Sequence, residues 1–294
     1  MDRIAAIDIG TNSTRLLVAD VSGGNIKTLG TRLSHTRLGE GISGGVLLPV
    51  AMERTLEAIG SFLKTALLMG VKRVVAAATS AVRDAENRDI FLGLARERFG
   101  LDVKVLSCEE EASLSYRGVL SGLPLDPLTT VVVDVGGGST ELIWNNRGRL
   151  ECLSVSAGAL RTTESGVGEC QIAAIFEPAL SIVREGQVGY LAGVGGTITT
   201  LAAVDQGLTV YDPVRIHGYR LTASAVQRVL TKLKHLSIED RKKLPGLQPE
   251  RADIIVAGSD IVKTVLDGLR LKHMLVSECD ILSGLILEKS KEDY

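Results

Sequence analysis

Two aspartates, each followed by a glycine-containing turn, are the residues of this sequence whose types and spacing suit phosphate chemistry. Asp134 ends the β-branched run 131–133 and is followed by Val135, Gly136, Gly137, Gly138 and Ser139, with Glu141 seven residues beyond the aspartate. Asp8 ends a similar apolar run and is followed by Ile9, Gly10, Thr11, Asn12 and Ser13, with Arg15 at the offset of Glu141. Glycines let the backbone turn sharply and bare its amides, and successive amides make a nest for an anion. A carboxylate beside such a nest repels a bare phosphate unless a divalent cation lies between them, so the combination points to a metal-bound phosphate. An ordinary hairpin, which also favours Asp and Gly, is the competing reading for one copy taken alone.

The two copies align without a gap over 5–17 and 131–143, pairing Asp8 with Asp134, Gly10 with Gly136, Ser13 with Ser139 and Thr14 with Thr140. Such self-similarity predicts two related modules. In a hairpin the spacing of Asp134 and Glu141 can bring both carboxylates to one cation, the alternative being that Glu141 is a solvated strand residue. A second cluster, Glu109-Glu110-Glu111, falls at a predicted strand-to-helix junction. Carboxylates at a helix N-terminus satisfy free N–H groups and the helix dipole, which is expected to explain at least one of the three. Adjacent carboxylates also raise one another's proton affinity, which moves a glutamate toward a useful base. Arg83 follows a strand ending at Thr79, at the carboxyl edge of a sheet where open α/β folds place their sites, although neighbouring Asp84 allows a plain surface ion pair.

These residues need elements to hold them. Strands are predicted near 3–9, 14–21 and 25–34, then a mobile Gly-rich loop over 38–45. Pro49 opens a helix whose Met52, Leu56, Ile59, Leu63 and Leu67 form one apolar stripe ending at Gly70. A strand over 74–78, a helix near 87–98, a strand over 101–105 and a helix from Glu109 complete the first module. The Pro- and Gly-containing stretch 121–127 reads as the linker. The second module repeats the plan: a meander within 129–155, helical stretches over 160–184, a strand over 189–194, and a Gly195-Gly196-Thr197 turn into a helix. A helix capped by Thr222, a long helix started by Pro249 and a last strand near 273–277 follow. The expected fold is therefore α/β, with domains over 1–122 and 123–279 facing a central cleft.

Composition bounds the function. The 294 residues are 45% hydrophobic and 23% charged, which suits a globular chain with two cores. With aromatics at 3%, the cores must rest on Leu, Ile, Val and Ala, and stacking platforms for single-stranded nucleic acid are not expected. A net charge of −2 argues against general nucleic-acid binding. Acids at Asp2 and Asp8 interrupt any signal core and no apolar run approaches membrane-spanning length, so a cytoplasmic protein without a membrane partner is expected. Cys108, Cys152, Cys170 and Cys279 lack zinc-type spacing and read as unpaired thiols.

The two turns, together with Thr36–Ile42, Ala78–Ala85, Glu110–Ala112 and Val194–Thr197, occur in order along nearly the whole chain. In these stretches the sequence resembles the exopolyphosphatase and guanosine pentaphosphate phosphohydrolase (Ppx/GppA) family of the actin, Hsp70 and sugar-kinase superfamily. The resemblance implies two RNase H-like, actin-like ATPase domains, with a final helix over 280–294 crossing back to the first. It implies a hydrolase releasing terminal phosphate from inorganic polyphosphate, or the 5′ γ-phosphate of guanosine pentaphosphate, by in-line attack of water. It makes Glu111 the base with Glu110 supporting, gives Arg83 a phosphate role, makes Asp134 and Glu141 ligands of Mg²⁺ or another divalent cation, and has Asp8 hold water on the metal. Gly10, Asn12, Ser13, Gly136, Gly137, Gly138 and Ser139 form the phosphate cradle, and Gly195, Gly196 and Thr197 resemble the superfamily's third, nucleoside-side loop. K⁺ is an additional candidate ion, and a homodimer a candidate assembly. His217 matches a family position, against which stands a hydrogen-bonded structural role; Leu282 and Ser283 replace a family Arg-Glu pair before Gly284. The chain is expected to be the short form, without the further C-terminal metal-dependent domain. A phosphotransferase of the same superfamily and a non-catalytic polyphosphate or alarmone sensor are the rival readings, and the choice between the two substrates stays open.

Overall fold

The computed structural model describes residues 2–291. The chain divides into two compact units, Met1–Ser121 with Asp280–Tyr294, and Gly122–Cys279.

In the first unit β1 (Asp2–Ile9), β2 (Thr14–Ser22) and β3 (Asn25–Ser34) form an antiparallel meander, and β4 (Arg73–Ala78) and β5 (Val103–Val105) add in parallel, giving the order β3-β2-β1-β4-β5. β1 is central and covered on both faces, which is why it reads as a continuous apolar run rather than an alternating one. Its Ala5, Ile7 and Ile9 join the core beneath α1 (Pro49–Leu68), while Ile4 and Ala6 join the core on the opposite face. In α1 the stripe of Met52, Leu56 and Ile59 is buried, but Leu67 has rotated out to 73% exposure. Next come α2 (Ser80–Asp84), α3 (Arg88–Phe99) and α4 (Cys108–Gly122). α2 is absent from the sequence reading because five residues are too few to show a period. The segment expected to be a loose Gly-rich loop is instead tied to the first turn. Arg37 N donates to Asn12 O (3.0 Å), Gly39 N donates to Thr11 O (2.9 Å), and Leu38 and Ile42 are buried in the core.

The second unit repeats the meander as β6 (Thr130–Val135), β7 (Thr140–Asn146) and β8 (Arg149–Val155). It continues with α5 (Ala159–Ser165), α6 (Glu169–Arg184), β9 (Tyr190–Val194), α7 (Gly196–Asp205), α8 (Pro213–Ile216), β10 (Arg220–Thr222), α9 (Ala223–His235), α10 (Ile238–Arg241), α11 (Ile255–Gly268) and β11 (His273–Val276). The sheet order β10-β11-β9-β6-β7-β8 is the first unit's plan with one added edge strand. Thr222 caps α9 by accepting from Ala225 N at 3.1 Å. The single long helix expected from Pro249 is broken: Pro249 opens a short 3₁₀ turn, and α11 begins at Ile255. Asp253 Oδ1 accepts from Ile254 N at 3.0 Å, a local bond that competes with helical pairing there.

The last described element is α12 (Ile281–Lys291), whose Ile281, Leu282, Leu285 and Ile286 pack in the first unit with Ile4, Ala6, Leu17, Ala77 and Leu114. A Cβ on Gly284 would collide with the carbonyl of Leu114, and one on Gly118 with that of Asp280, so α4 and α12 meet backbone to backbone. The buried Leu282 and Ser283 belong to this contact. The part of the expected helix over 292–294 lies outside the described residues. Among the described residues, no helix is long and apolar enough to cross a membrane.

Candidate active site

The first turn closes with Gly10 N donating to Ser13 O at 3.0 Å. Asp8 stands across the ladder from Arg15. Arg15 Nε and Nη2 both reach Asp8 Oδ2, at 3.0 and 2.6 Å, and its Nη1 donates to Asp280 Oδ2. Burial pushes the Asp8 carboxyl above its ordinary range, against the lowering effect of Arg15. Its second oxygen, Oδ1, is buried without a hydrogen-bond partner among the described residues, and so is Oδ1 of Asn12. Both residues are 5% exposed. Two such acceptors in one turn are costly unless water or a cation meets them. Ser13 Oγ lies 3.2 Å from His35 Nδ1, and Thr11 Oγ1 lies 2.8 Å from Ser80 Oγ, which fastens the turn to α2.

α2 starts at the carboxyl end of β4 and carries Arg83 inward. Arg83 Nη1 donates to Glu111 Oε2 at 2.7 Å and to Leu106 O at 3.1 Å, whereas Asp84 lies 3.8 Å from its Nε. Arg83 thus bonds Glu111 closely and keeps a longer ion pair with Asp84. The three adjacent acids divide their work. Glu110 Oε2 accepts from Ser107 N at 3.0 Å while Ser107 Oγ accepts from Glu110 N at 3.2 Å, a capping box at the start of α4. Glu110 Oε1 also pairs with Lys104 Nζ at 2.8 Å. Its carboxyl is held below the ordinary range by Lys104 and by the Ser107 amide, and that of Glu109 by its own amide and the Ser107 hydroxyl. The expected mutual raising of proton affinity is therefore reversed for these two, because hydrogen bonds to the charged form outweigh like-charge repulsion. Glu111 alone turns inward, at 8% exposure.

The second turn has the same closing bond, Gly136 N to Ser139 O at 3.0 Å. Here the residue across the ladder from Asp134 is Glu141, at 2% exposure, accepting from Ser154 Oγ at 2.9 Å. Such burial rules out a solvated strand residue. The turn's carbonyls are occupied: Gly136 O accepts from Ala159 N (2.9 Å), Gly137 O from Leu160 N (2.9 Å) and Arg161 N (3.0 Å), and Gly138 O from Arg161 Nε (2.7 Å). Carbonyl oxygens so engaged are withdrawn from any anion the turn receives. The third loop comes beside this turn. Gly195 has φ 94°, and a Cβ there would stand 2.6 Å from Val135 O and 3.1 Å from Asp134 Oδ1. The guanidinium of Arg251 lies against Gly196, and Thr197 is buried against Gly258. Gly196 and Thr197 therefore face packed protein.

His217 has the structural role: its Nδ1 accepts from Glu278 N at 3.2 Å, and its Nε2 lies 3.0 Å from Gly122 O. Three partners were missed from sequence: Ser154, placed by the ladder; Ser107, legible as Ser-x-x-Glu; and Asp280, legible as a polar residue before the apolar run of α12.

The available donors suit a hard cation. Among the described residues no three His, Cys, Asp or Glu side chains are grouped to hold a metal. Mg²⁺ does not require such a cage, since it keeps several waters and takes one or two carboxylates plus substrate phosphate. The Asp134–Glu141 pair in the second unit and the open oxygens of Asp8 and Asn12 in the first are each oxygen donors of the kind it would use.

A family model described as the Ppx/GppA phosphatase family matches residues 17–293. The chain is 33% identical over 313 aligned residues to Exopolyphosphatase 2 of Mycobacterium tuberculosis, covering 98% of each. Among solved structures it resembles the Aquifex aeolicus member of the Ppx/GppA family at 30% identity and a TM-score of 0.83, covering 99% of this chain and 98% of that one. It also resembles an exopolyphosphatase from Cytophaga hutchinsonii at 25% identity and a TM-score of 0.90, with the same coverage. The fold is thus the α/β, actin-like fold of these structures.

Proposed function

We infer the function from one premise: the chain belongs to the Ppx/GppA phosphatase family. It is an exopolyphosphatase that hydrolyses the terminal phosphoanhydride of inorganic polyphosphate. The observation that carries this reading is the in-register pair of Asp134 and Glu141 beside a glycine turn, in a chain similar over its whole length to an exopolyphosphatase. Two acids directly opposed across a ladder destabilise it, and a cation relieves them.

Asp134 and Glu141 would hold a divalent cation such as Mg²⁺, and in the first unit the open Asp8 Oδ1 and Asn12 Oδ1 would meet water or a cation. Bound there, the cation neutralises the phosphoryl oxygens and aligns them for displacement. The amides of Gly10–Ser13 and Gly136–Ser139 receive phosphoryl oxygens. Glu111 takes the proton of the attacking water as its oxygen bonds to the terminal phosphorus. The phosphoanhydride P–O bond breaks, and the electron pair leaves with the shortened chain. Arg83 holds Glu111 through the 2.7 Å bond and presents its remaining donors to phosphate.

The test is phosphate release from polyphosphate by the purified protein with no acceptor present, run beside guanosine pentaphosphate at equal phosphate-end concentration. Release from polyphosphate supports the reading. Release only when an acceptor is added identifies a phosphotransferase, and binding without release over hours identifies a sensor.

A further inference from the structure

We propose that Asp280 is a positioning residue for this site, holding Arg15 in a pose that leaves one oxygen of Asp8 open. The proposal rests on the function inferred above and adds a residue to it.

A guanidinium facing a lone carboxylate ordinarily pairs fork to fork, engaging both oxygens. Arg15 does not. Its Nε and Nη2 converge on a single oxygen of Asp8, Oδ2, and Nη1 goes to Asp280 Oδ2. Among the described residues Asp8 Oδ1 is left buried without a hydrogen bond, beside the turn that holds the open Asn12 Oδ1. The three side chains are enclosed, with 27% exposure for Arg15 and 7% for each aspartate, so water competes weakly for the guanidinium. Without the pull of Asp280, Arg15 has one carboxylate to satisfy and closes on both oxygens of Asp8. Asp280 therefore determines how much of Asp8 the reaction can use.

Asp280 has a second duty that must be separated from the first. Its Oδ1 accepts from Leu282 N at 3.0 Å and so caps α12. Asparagine caps a helix about as well as aspartate, whereas alanine does not. Asp280→Asn thus removes the charge and keeps the cap, and Asp280→Ala removes both.

The experiment measures kcat and KM on inorganic polyphosphate, Mg²⁺ binding by calorimetry without substrate, and thermal melting. Asp280→Asn is expected to melt close to the parent, to lose about 10- to 100-fold in kcat with KM within about twofold, and to bind Mg²⁺ about tenfold more weakly. Asp280→Ala should show the same kcat with a lower melting temperature. Arg15→Lys, which lacks the fork, should lose kcat similarly, and adding Asp280→Asn to it should cost little more, because both act through one contact. Parent-like kcat and Mg²⁺ binding in Asp280→Asn overturn the proposal, as does a raised KM with kcat intact. If Asp280→Asn does not fold, Arg15→Lys decides: parent-like kcat in that variant overturns it. If the parent releases no phosphate from polyphosphate, the function reading fails; Mg²⁺ calorimetry on parent and Asp280→Asn then decides the positioning claim alone, equal binding overturning it.

Discussion

In the first unit the residue across the ladder from the turn's aspartate is Arg15; in the second it is Glu141. The backbones agree, since both turns close with a glycine amide on a serine carbonyl at 3.0 Å. The charges do not. The first unit's candidate acids are each held by a basic side chain, Asp8 by Arg15, Glu111 by Arg83 and Glu110 by Lys104. In the second unit the register sets one acid against another. A repeated backbone thus fixes where a carboxylate stands, and the residue opposite decides whether it faces a cationic or an acidic side chain across the ladder. A repeated backbone alone would give two equal turns; the position paired with the aspartate makes them unequal.

Four expected outcomes bear on that contrast. The largest is at Glu111, where Glu111→Gln keeps the shape and the contact with Arg83 but loses the base. Turnover should fall by about two to four orders of magnitude with polyphosphate binding retained. Single-turnover assays check this, and Glu109→Gln with near-parent turnover is the control; equal losses in both variants would mean that the inward turn of Glu111 carries no chemistry. Next, Arg15→Gln leaves two enclosed carboxylates without their cation and should cost about 3–5 kcal/mol of stability in urea titrations. A loss below about 1 kcal/mol would show that the first unit does not depend on its arginine.

Mg²⁺ probes the second unit directly. At about 100 times its dissociation constant the ion should stabilise the parent by about 2.7 kcal/mol, and an affinity weakened about 100-fold in Glu141→Gln leaves about 0.4 kcal/mol at the same concentration. Equal stabilisation of both proteins would remove Glu141 from the cation's neighbourhood. The smallest effect concerns Glu110. Its carboxyl lies below the ordinary range, so its contribution is complete above the unfolded value of about 4.3 and is lost as the pH falls through the folded value. Glu110→Gln should remove that acid-sensitive portion, worth a few tenths of a kcal/mol for so exposed a pair, leaving turnover near the parent's. An unchanged acid limb in denaturation curves would count against the pairing of Glu110 with Lys104.

What could be read from sequence followed from how local the information is. Both turns were legible because all their residues are contiguous, and α1 because its period runs over several helical turns. Arg83 and Glu111 lie 28 residues apart and meet only because β4 and β5 pair in parallel, so their types could be nominated but not their bond. Arg15 and Asp280 are separated by 265 residues, and nothing in either neighbourhood announces the other. The division among the three adjacent acids depended on Ser107, one residue upstream of the helix, and on Lys104, one face of a short strand. The broken helix after Pro249 shows the reverse case, in which an apolar period that looked continuous runs through 3₁₀-type turns, Ile254 N donating to Arg251 O at 3.1 Å, before α11 begins.

The return of α12 to the first unit sets an order of events on the ribosome. Gly122–Cys279 is contiguous, so the second unit has its whole sequence as soon as Cys279 has emerged. The first unit, although synthesised earlier, lacks Ile281, Leu282, Leu285 and Ile286, and its β1 face stays uncovered until they arrive. Until those four residues arrive the nascent first unit presents a bare hydrophobic sheet face, when a holdase would have most to protect, and Arg15 lacks its second carboxylate.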